Sequence, residues 1–356
     1  MQRFDIKARE KENEVAQTEN TDFIGQNPRP ISIESILSEP GWVPYAFDGT
    51  DFTLTRTPGA DLANSAFVYV TQFNDATEFA TVSAAEMLAL TENLPMPDMV
   101  LIYSIGRCGT TLANHVLNAS DEIWCLSEPD VIDQVAQTGN SELICAVAKL
   151  LFAGRTKPDA RALGVKFRSM SLFDADKFNA ALPDAKNIFM YRDAVAWGNS
   201  FYTVFWKLGF TAPYEPEGCA MGWEILTREP FELGQAAYPD LSGDQIEPGA
   251  IFSAFWQRHL AEYTKHKAAG IDMYPIRYNE FNSDREAGVS ALFKACGLKP
   301  ISVKEALSAF ENDSQSGTFM EQVEKPEKMN DAQKDFLREV LAKHSKYGDP
   351  DLILDQ

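Results

Sequence analysis

The stretch Met99–Val131, MVLIYSIGRCGTTLANHVLNASDEIWCLSEPDV, decides the fold of this 356-residue chain. It begins with a short apolar run that is typical of a buried strand, passes through a turn that contains Gly106 and Gly109, and continues with apolar residues at helical spacing. This order predicts a strand, a loop and a helix. Because the N-terminus of a helix presents unpaired N–H groups and the positive end of the helix dipole, the loop favours binding of a phosphate or a similar anion.

The loop does not match the nucleotide-binding motif G-x-x-x-x-G-K-[ST] of ATPases and kinases. The residue five positions before Gly109 is Ser104 instead of glycine, and the residue after Gly109 is Thr110 instead of lysine. The segment Gly106–Thr111, G-R-C-G-T-T, resembles instead the phosphosulfate loop P-[KR]-S-G-T-T of the sulfotransferases that use 3′-phosphoadenosine 5′-phosphosulfate (PAPS). Its first and third residues, a glycine and a cysteine, replace the usual proline and serine of that loop.

A second segment supports the resemblance. Residues Lys186–Tyr202, KNIFMYRDAVAWGNSFY, resemble that family's strand and helix of the form I-x-x-x-R-D-P-x-x-x-x-x-S-x-x. Arg192 and Ser200 stand eight positions apart, like the family's pair that binds the 3′-phosphate of PAPS, although Ala194 replaces the usual proline. A softer third match is Ile276–Phe281, IRYNEF, which resembles the family's late strand R-Y-E-D-L.

The resemblance implies a P-loop-like α/β fold, with a central parallel sheet flanked by helices. The pattern of the chain agrees, since Leu163–Arg168 and Asn187–Tyr191 read as strands that alternate with helical segments such as Ser141–Phe152. In such a sheet ligands bind at the carboxyl ends of the strands. The Gly106–Thr111 loop, Lys166, Arg168 and Arg192 are all expected at that edge.

The resemblance also implies how the donor is bound. Arg107 is expected at the 5′-phosphate and the leaving oxygen, while Arg192 and Ser200 are expected at the 3′-phosphate. The plainer alternatives are a surface arginine beside a threonine N-cap for the loop, and an ion pair with Asp193 for Arg192. The donor-binding residues in this reading are Arg107, Cys108, Gly109, Thr110, Thr111, Arg192 and Ser200.

Three residues are expected to act in sulfuryl transfer, namely Glu128, Arg107 and Lys166. Glu128 resembles the catalytic glutamate of tyrosylprotein-type sulfotransferases and is the candidate general base; the alternative is an exposed glutamate before a proline turn. His115 is a rival base, although a histidine of the core or surface is the better interpretation. Lys166 resembles the lysine of the family's next strand. Alternatively, Lys166 and Arg168 could equally be strand-end charges that pair with carboxylates.

The composition limits the partners and the compartment. The formal charge of −20 would repel nucleic acids and anionic membranes, so neither is an expected partner. The five scattered cysteines, without C-x-x-C spacing, support neither a disulfide framework nor a zinc site, which favours a reduced, cytoplasmic protein that uses no metal. We find no apolar N-terminal signal segment and no apolar run near the ~20 residues of a membrane span.

The sequence predicts three regions: a flexible polar tail over residues 1–22, an α+β extension over 23–97, and the sulfotransferase-like domain over 98–356. In the extension, DFTLTRT and SAFVYVTQF alternate like strands, while helices are expected around Ser35 and over Thr81–Leu90. Later helices are expected over Leu172–Leu182, Phe252–His266 and Asp331–His344. The Gly- and Pro-rich segment 208–250 is expected to be an irregular insertion that forms a lid or contacts the substrate.

Two departures from the family pattern matter. The family's tryptophan after G-T-T is Leu112 here, and the late R-K-G-x-x-G-x-x-K segment is missing, with Ser314–Thr318 near its place as possible neutral phosphate contacts.

We expect a sulfotransferase that moves the sulfuryl group of PAPS to a hydroxyl or amine of a small molecule. The alternatives are a P-loop nucleotide-dependent kinase and a non-catalytic phosphonucleotide-binding protein on the same scaffold.

Overall fold

The structure is a computed structural model that describes residues 1–13, 15–311, 318–321, 326–343 and 346–355. These residues form two five-stranded sheets, one antiparallel and one parallel. The parallel sheet lies within the region 98–356 and is flanked by helices, so the predicted α/β fold class is confirmed.

The strands of the parallel sheet lie in the order β10-β9-β6-β8-β7, with the loop-bearing strand β6 in the centre. They alternate with helices along the chain, and each is buried, as a sheet covered on both faces requires. Their bounds are β6 Asp98–Ser104, β7 Ile123–Ser127, β8 Ala162–Lys166, β9 Lys186–Tyr191 and β10 Met273–Arg277.

The helices of this domain include the predicted amphipathic and buried segments. The helix expected over Leu172–Leu182 is divided into a 3-10 turn, Ser169–Asp174, and a short α-helix. The bounds are α4 Thr110–Asn118, α5 Asp130–Gln137, α6 Ser141–Ala153, α7 Ala175–Ala181, α8 Ala194–Lys207, α9 Pro216–Thr227, α10 Phe231–Ala237, α11 Pro248–Ala268, α12 Tyr278–Ser283, α13 Arg285–Ala295, α14 Leu307–Glu311 and α15 Asp331–Ala342.

The antiparallel sheet belongs to an N-terminal unit that starts at the first residues of the chain. Its strand order is β2-β1-β5-β4-β3. The bounds are β1 Gln2–Arg9, β2 Phe23–Pro30, α1 Ile33–Ser38, β3 Trp42–Phe47, β4 Asp51–Arg56, α2 Val68–Asp75, β5 Glu78–Ser83 and α3 Ala84–Thr91.

The structure corrects the expectation of a flexible tail over residues 1–22. Residues 2–9 form β1, which pairs with β2 on one side and with β5 on the other. Its ladder partners lie 14–28 residues away in β2 and more than 70 residues away in β5. Phe4, Ile6 and Ala8 alternate with polar residues, and Phe4 and Ile6 pack against the core of the unit. This alternation is a strand signal, although only three apolar residues carry it in a charged segment.

A second correction concerns SAFVYVTQF, for which the sequence predicts a strand. Its central part is helix α2, where Val68, Tyr69 and Gln72 form the buried face. The β-branched and aromatic residues favour a strand by intrinsic preference, but burial against the rest of the unit overrides that preference. Likewise the helix expected from Thr81 begins only at Ala84, because Thr81 still belongs to β5.

The segment 208–250 is also more regular than expected, because it contains α9, α10 and a 3-10 turn over Pro239–Leu241. Helix α9 packs on α11 and on the 3-10 turn after β8, while α10 packs on α9. The N-terminal unit packs through β3 on α5 and α6, and its buried residues continue into the core of the parallel sheet.

Within the residues described, no helix has the length and apolar character needed to cross a membrane.

Candidate functional site

The loop after β6 has a sharply turned backbone. Gly106, Arg107 and Gly109 adopt φ angles of 70°, 50° and 80°, all in the left-handed region. The Ser104 hydroxyl accepts a hydrogen bond from the Gly106 N–H at 3.1 Å, and Gly109 is the N-cap residue of α4. An arginine in this conformation is strained, and such strain is characteristic of functional loops.

Gly109 is the position where only glycine fits. A Cβ atom at this residue would overlap Cδ2 and Cε2 of Tyr278, the first residue of α12. The Tyr278 ring therefore lies against the backbone at the start of α4. Thr110 and Thr111, the first residues of that helix, are buried beside it.

Arg107 and Ser200, predicted to contact different phosphates of one donor, are in direct contact. The Nε–H of Arg107 donates to the Ser200 hydroxyl at 3.1 Å. Trp197, one turn earlier on α8, donates its indole N–H to the carbonyls of Ile105 and Gly106, both at 3.0 Å. The loop after β6 and helix α8 are thus tied together by a side chain from each.

Arg192 lies at the carboxyl end of β9, beside the loop. Its guanidinium carbon is 5.0 Å from the centroid of the Tyr278 ring, and its Nε is 4.0 Å from a carboxylate oxygen of Asp193. The ion pair with Asp193 is therefore long, and Asp193 instead caps α8 through the Ala196 N–H at 2.7 Å. Among the described residues the buried Nε of Arg192 has no hydrogen-bond partner.

The thiol of Cys108 points into the core, so a contact of Cys108 with the donor would come from its backbone. It is fully buried and donates to the Met190 carbonyl at 3.2 Å. Burial raises the pKa of the Cys108 thiol to about 12, while the nearby charges of Lys166 and Arg192 oppose the shift. Only the backbone of Cys108 remains available to an anion.

Glu128 and Lys166 form an ion pair at the same edge of the sheet. Lys166 Nζ contacts Oε1 of Glu128, and the Glu128 N–H donates to the Lys166 carbonyl at 2.7 Å. The exposed fraction of the two side chains is 13% for Glu128 and 5% for Lys166. Glu128 has a φ of 57°, so it is a second strained residue at the carboxyl edge.

Arg168 is held in a different way from Lys166. It binds both oxygens of Asp130, at 2.7 and 2.8 Å, and donates to the carbonyls of Val15 and Ala16. Its Nε lies 3.7 Å from Oε2 of Glu128. The interpretation of Arg168 as a cation that pairs with a carboxylate is therefore the one that the structure shows.

His115, the rival base, lies on α4 and makes no described contact with Glu128. Burial lowers the pKa of its imidazole, and the Lys166 charge acts in the same direction against the attraction of Asp61.

The possible phosphate contacts Ser314–Gly317 lie outside the described residues. Within the described residues no group of three or more His, Cys, Asp or Glu is arranged to hold a metal ion.

Sequence reasoning missed three residues of this site. Tyr278 is part of the soft third match, but nothing in the sequence places its ring against Gly109. Trp197 is fully buried, as is usual for a large aromatic residue of a core, yet its indole N–H also binds the loop. Asp130 lies two residues after Glu128 and gives no signal in the sequence, since its arginine partner lies 38 residues away.

Comparison with known proteins gives a limited result. No protein-family model matches the chain, and no curated protein matches it significantly. Similar solved structures include a sulfotransferase from Alicyclobacillus acidocaldarius, with 17% identity over 70% of this chain and 91% of that chain at a TM-score of 0.40. Mouse sulfotransferase SULT7A1, complexed with PAP, has 12% identity over 74% and 91% of the two chains at a TM-score of 0.37.

Sulfotransferase STF9 from Mycobacterium avium has 10% identity over 74% of this chain and 79% of that chain, at a TM-score of 0.40. At these scores the similarities are too distant to carry an argument about activity. The functional argument therefore rests on the residues of the site itself.

Proposed function

We propose that the protein is a PAPS-dependent sulfotransferase that transfers the sulfuryl group to a hydroxyl or amine of a small-molecule acceptor. The observation that carries the proposal is the Arg107–Ser200 hydrogen bond. It joins the two segments that resemble the family's phosphate-binding motifs, at the N-terminus of α4. Neighbouring parallel strands bring both segments to one edge of the sheet in any case, so the support comes from the direct contact between two predicted phosphate-binding side chains.

The side chains at this edge suit a donor with two separate anionic groups. The start of α4 offers backbone N–H groups and the hydroxyls of Thr110 and Thr111 for one of them. Arg192, with a hydrogen-bond donor that no described residue uses, and Ser200 suit the other. When bound, PAPS would supply an activated sulfuryl group on its 5′-phosphate.

In the transfer step, the acceptor oxygen or nitrogen forms a bond to sulfur while the bond from sulfur to the bridging oxygen breaks. The electron pair of that bond remains on the 5′-phosphate, so the site has to neutralise a growing negative charge. We assign this role to Arg107 and Lys166. Glu128 accepts the acceptor proton on Oε2, since Lys166 contacts Oε1.

The overall charge of −20 supports a small-molecule acceptor in place of a nucleic acid or an anionic membrane. A kinase activity is disfavoured because Thr110 stands where the P-loop lysine would bind the nucleotide phosphates. The scattered, unpaired cysteines support a cytoplasmic location, which we propose together with the activity.

Calorimetric binding of adenosine 3′,5′-bisphosphate tests the proposal. We expect wild-type protein to bind it, Arg192→Ala to lose most of the affinity, and AMP to bind poorly because it lacks the 3′-phosphate. Arg338→Ala is the matched control, since Arg338 is an exposed arginine on α15 that pairs only with Asp335 among the described residues. Absence of bisphosphate binding, or an equal preference for ATP, would refute the proposal.

A further inference from the structure

Two aromatic rings from the N-terminal unit lie on the two cations that flank Glu128. The Phe67 ring centroid is 5.4 Å from Lys166 Nζ, and the Tyr69 ring centroid is 4.3 Å from the guanidinium carbon of Arg168. The two rings are stacked on each other, with 5.8 Å between centroids and 28° between planes. The two cations on either side of the Glu128 carboxylate are thus covered by a pair of rings from another part of the chain.

The cover closes the site. Phe67 and Tyr69 are 6% and 3% exposed, and the Lys166 side chain beneath Phe67 is 5% exposed. Glu128 itself has 13% of its side chain exposed. Since an acceptor has to bring its hydroxyl or amine within hydrogen-bond distance of the base, part of this cover has to move before transfer.

Two segments of the N-terminal unit contribute to the cover, and they are held with different strength. Residues 15–18 are attached through Arg168 and Asp130, which make charge-assisted hydrogen bonds in a buried setting. The irregular connection between β4 and α2, residues 57–67, is attached by neutral bonds. Ser127 donates to the Ala66 carbonyl at 2.6 Å, and the Asn118 amide donates to the Ala63 carbonyl at 2.7 Å.

A neutral hydrogen bond contributes about 0.5–1.5 kcal/mol, and bonds to charged groups contribute about 1.5–3 kcal/mol. In its hydrogen bonds the segment that carries Phe67 is therefore the one that opens at lower cost, and burial of Leu62, Ala63 and Phe67 adds an apolar contribution to that cost. Because it connects a strand to a helix without regular structure of its own, it can move without breaking a sheet ladder.

We propose that Phe67 is a gate residue on the acceptor side of the site. In the closed state its ring covers the Glu128–Lys166 pair, and in the open state the acceptor enters between Phe67 and this pair, with Tyr69 as the fixed wall beside it. The N-terminal unit, which matches no recognised motif, thereby supplies residues that determine acceptor specificity. This inference rests on the proposed function, because it takes Glu128 as the base.

The gate can be tested without knowing the acceptor. In the Glu128→Cys, Cys145→Ser background, N-ethylmaleimide labelling of the thiol introduced at position 128 reports access to this position, since the other four cysteines are buried. Adding Phe67→Ala is expected to raise the labelling rate at least tenfold, whereas Phe67→Trp is expected to leave it unchanged or lower it. Peptide mass spectrometry after timed quenching measures the rate.

Phe79→Ala is the matched control. Phe79 belongs to the same unit and is 6% exposed, but it stacks on Phe4 and Phe23 and lies in a separate cluster. The Phe79→Ala substitution should destabilise the unit to a similar degree without raising the labelling rate of the thiol at position 128 more than twofold. Equal rates for Phe67→Ala and its parent, or an equal increase in Phe79→Ala, would overturn the gate. If the alanine variant does not fold by circular dichroism, Phe67→Leu gives the same comparison at smaller amplitude.

Bisphosphate binding separates this inference from the proposed function. With Glu128 intact, Phe67→Ala is expected to bind adenosine 3′,5′-bisphosphate like the wild type, because Lys166 keeps its ion pair with Glu128 when the Phe67 ring is removed. If the wild type does not bind the bisphosphate, the sulfotransferase proposal is refuted. The labelling rates would still decide whether Phe67 controls access to position 128.

Discussion

Arg107 Nε donates a hydrogen bond to Ser200 Oγ at 3.1 Å, across 93 residues of sequence. The bond connects the loop after the central strand with the second turn of α8. The bond has a direct consequence for binding. Arg107, which is assigned to the leaving oxygen on the 5′-phosphate, is positioned by Ser200, which is assigned to the 3′-phosphate at the other end of the donor. The two halves of the donor site are therefore coupled.

Ser200→Ala should weaken binding of adenosine 3′,5′-bisphosphate by about 10- to 150-fold. The hydroxyl is expected to serve both Arg107 and the 3′-phosphate, and one hydrogen bond to a charged group contributes about 1.5–3 kcal/mol. Titration calorimetry measures the loss. Thr203→Ala on the same helix is the control, because the Thr203 hydroxyl donates to the carbonyls of Asn199 and Glu327. An effect of Ser200→Ala no larger than that of Thr203→Ala would contradict the coupling.

Gly109→Ala should destabilise the fold and impair the loop. The φ of 80° alone costs a residue with a Cβ about 1–2 kcal/mol, and the overlap with the Tyr278 ring adds a steric cost of about 1–3 kcal/mol. Urea unfolding of Gly109→Ala and of Gly109→Ala/Tyr278→Ala separates the two costs. The double variant should lose less stability than the sum of the two single changes; simple additivity would show that the ring does not limit this position.

Glu128→Gln should abolish transfer and also reduce stability. Removing one partner of a buried ion pair typically costs about 3–5 kcal/mol, since the other charge is left without compensation. Lys166→Met should be similarly destabilising, and the double variant Glu128→Gln/Lys166→Met should recover part of the loss. Urea unfolding tests the pair by itself. Near-normal turnover of Glu128→Gln with an identified acceptor would show that another group is the base.

His259 should make stability depend on pH. The ring is buried, its Nδ1 donates to the Phe255 carbonyl at 2.8 Å, and burial lowers the pKa of the imidazole from 6.5 to about 4. Between these two pH values the unfolded chain binds a proton that the folded chain does not, so stability falls as the pH drops from 6.5 to 4. At about 1.4 kcal/mol per unit of pKa, the full contribution is roughly 3 kcal/mol.

His259→Gln removes this titration, so its free energy of unfolding should change less over the same pH window than that of the wild type. Urea unfolding at several pH values across that window measures the difference. The two proteins are compared by the slope of the free energy of unfolding against pH. Absolute stabilities are not compared, because the substitution also alters packing against Phe173. Parallel pH profiles for the two proteins would rule out this role of His259.

Much of the central sheet and of the donor site could be predicted from the sequence. The strand, loop and helix around Gly109 are encoded within a few residues, because hydrophobic periodicity and glycine positions are local signals. The same holds for Arg192 and Ser200, whose spacing of eight is a property of one strand end and one helix. Their positions at the carboxyl edge followed from the parallel order of the sheet.

Local signals failed where distant residues decide the structure. The segment that contains Val68 and Tyr69 has strand-like composition, yet it is a helix because its buried face packs inside the N-terminal unit. Residues 2–9 do alternate, with Phe4, Ile6 and Ala8 between polar residues, but their many charges favoured the interpretation as a tail. Pairing with β2 on one side and β5 on the other makes the segment a strand.

By itself, the sequence determined the α/β class, the position of the glycine-containing loop after β6 and the edge of the sheet where Lys166, Arg168 and Arg192 lie. Only the tertiary structure decided which groups meet: the ring of Tyr278 on Gly109, the pairing of Lys166 with Glu128, and Phe67 above both. The physical reason is that a residue's type and local pattern fix its secondary structure and its chemistry, whereas burial and charge pairing depend on surfaces contributed by segments that are remote in sequence.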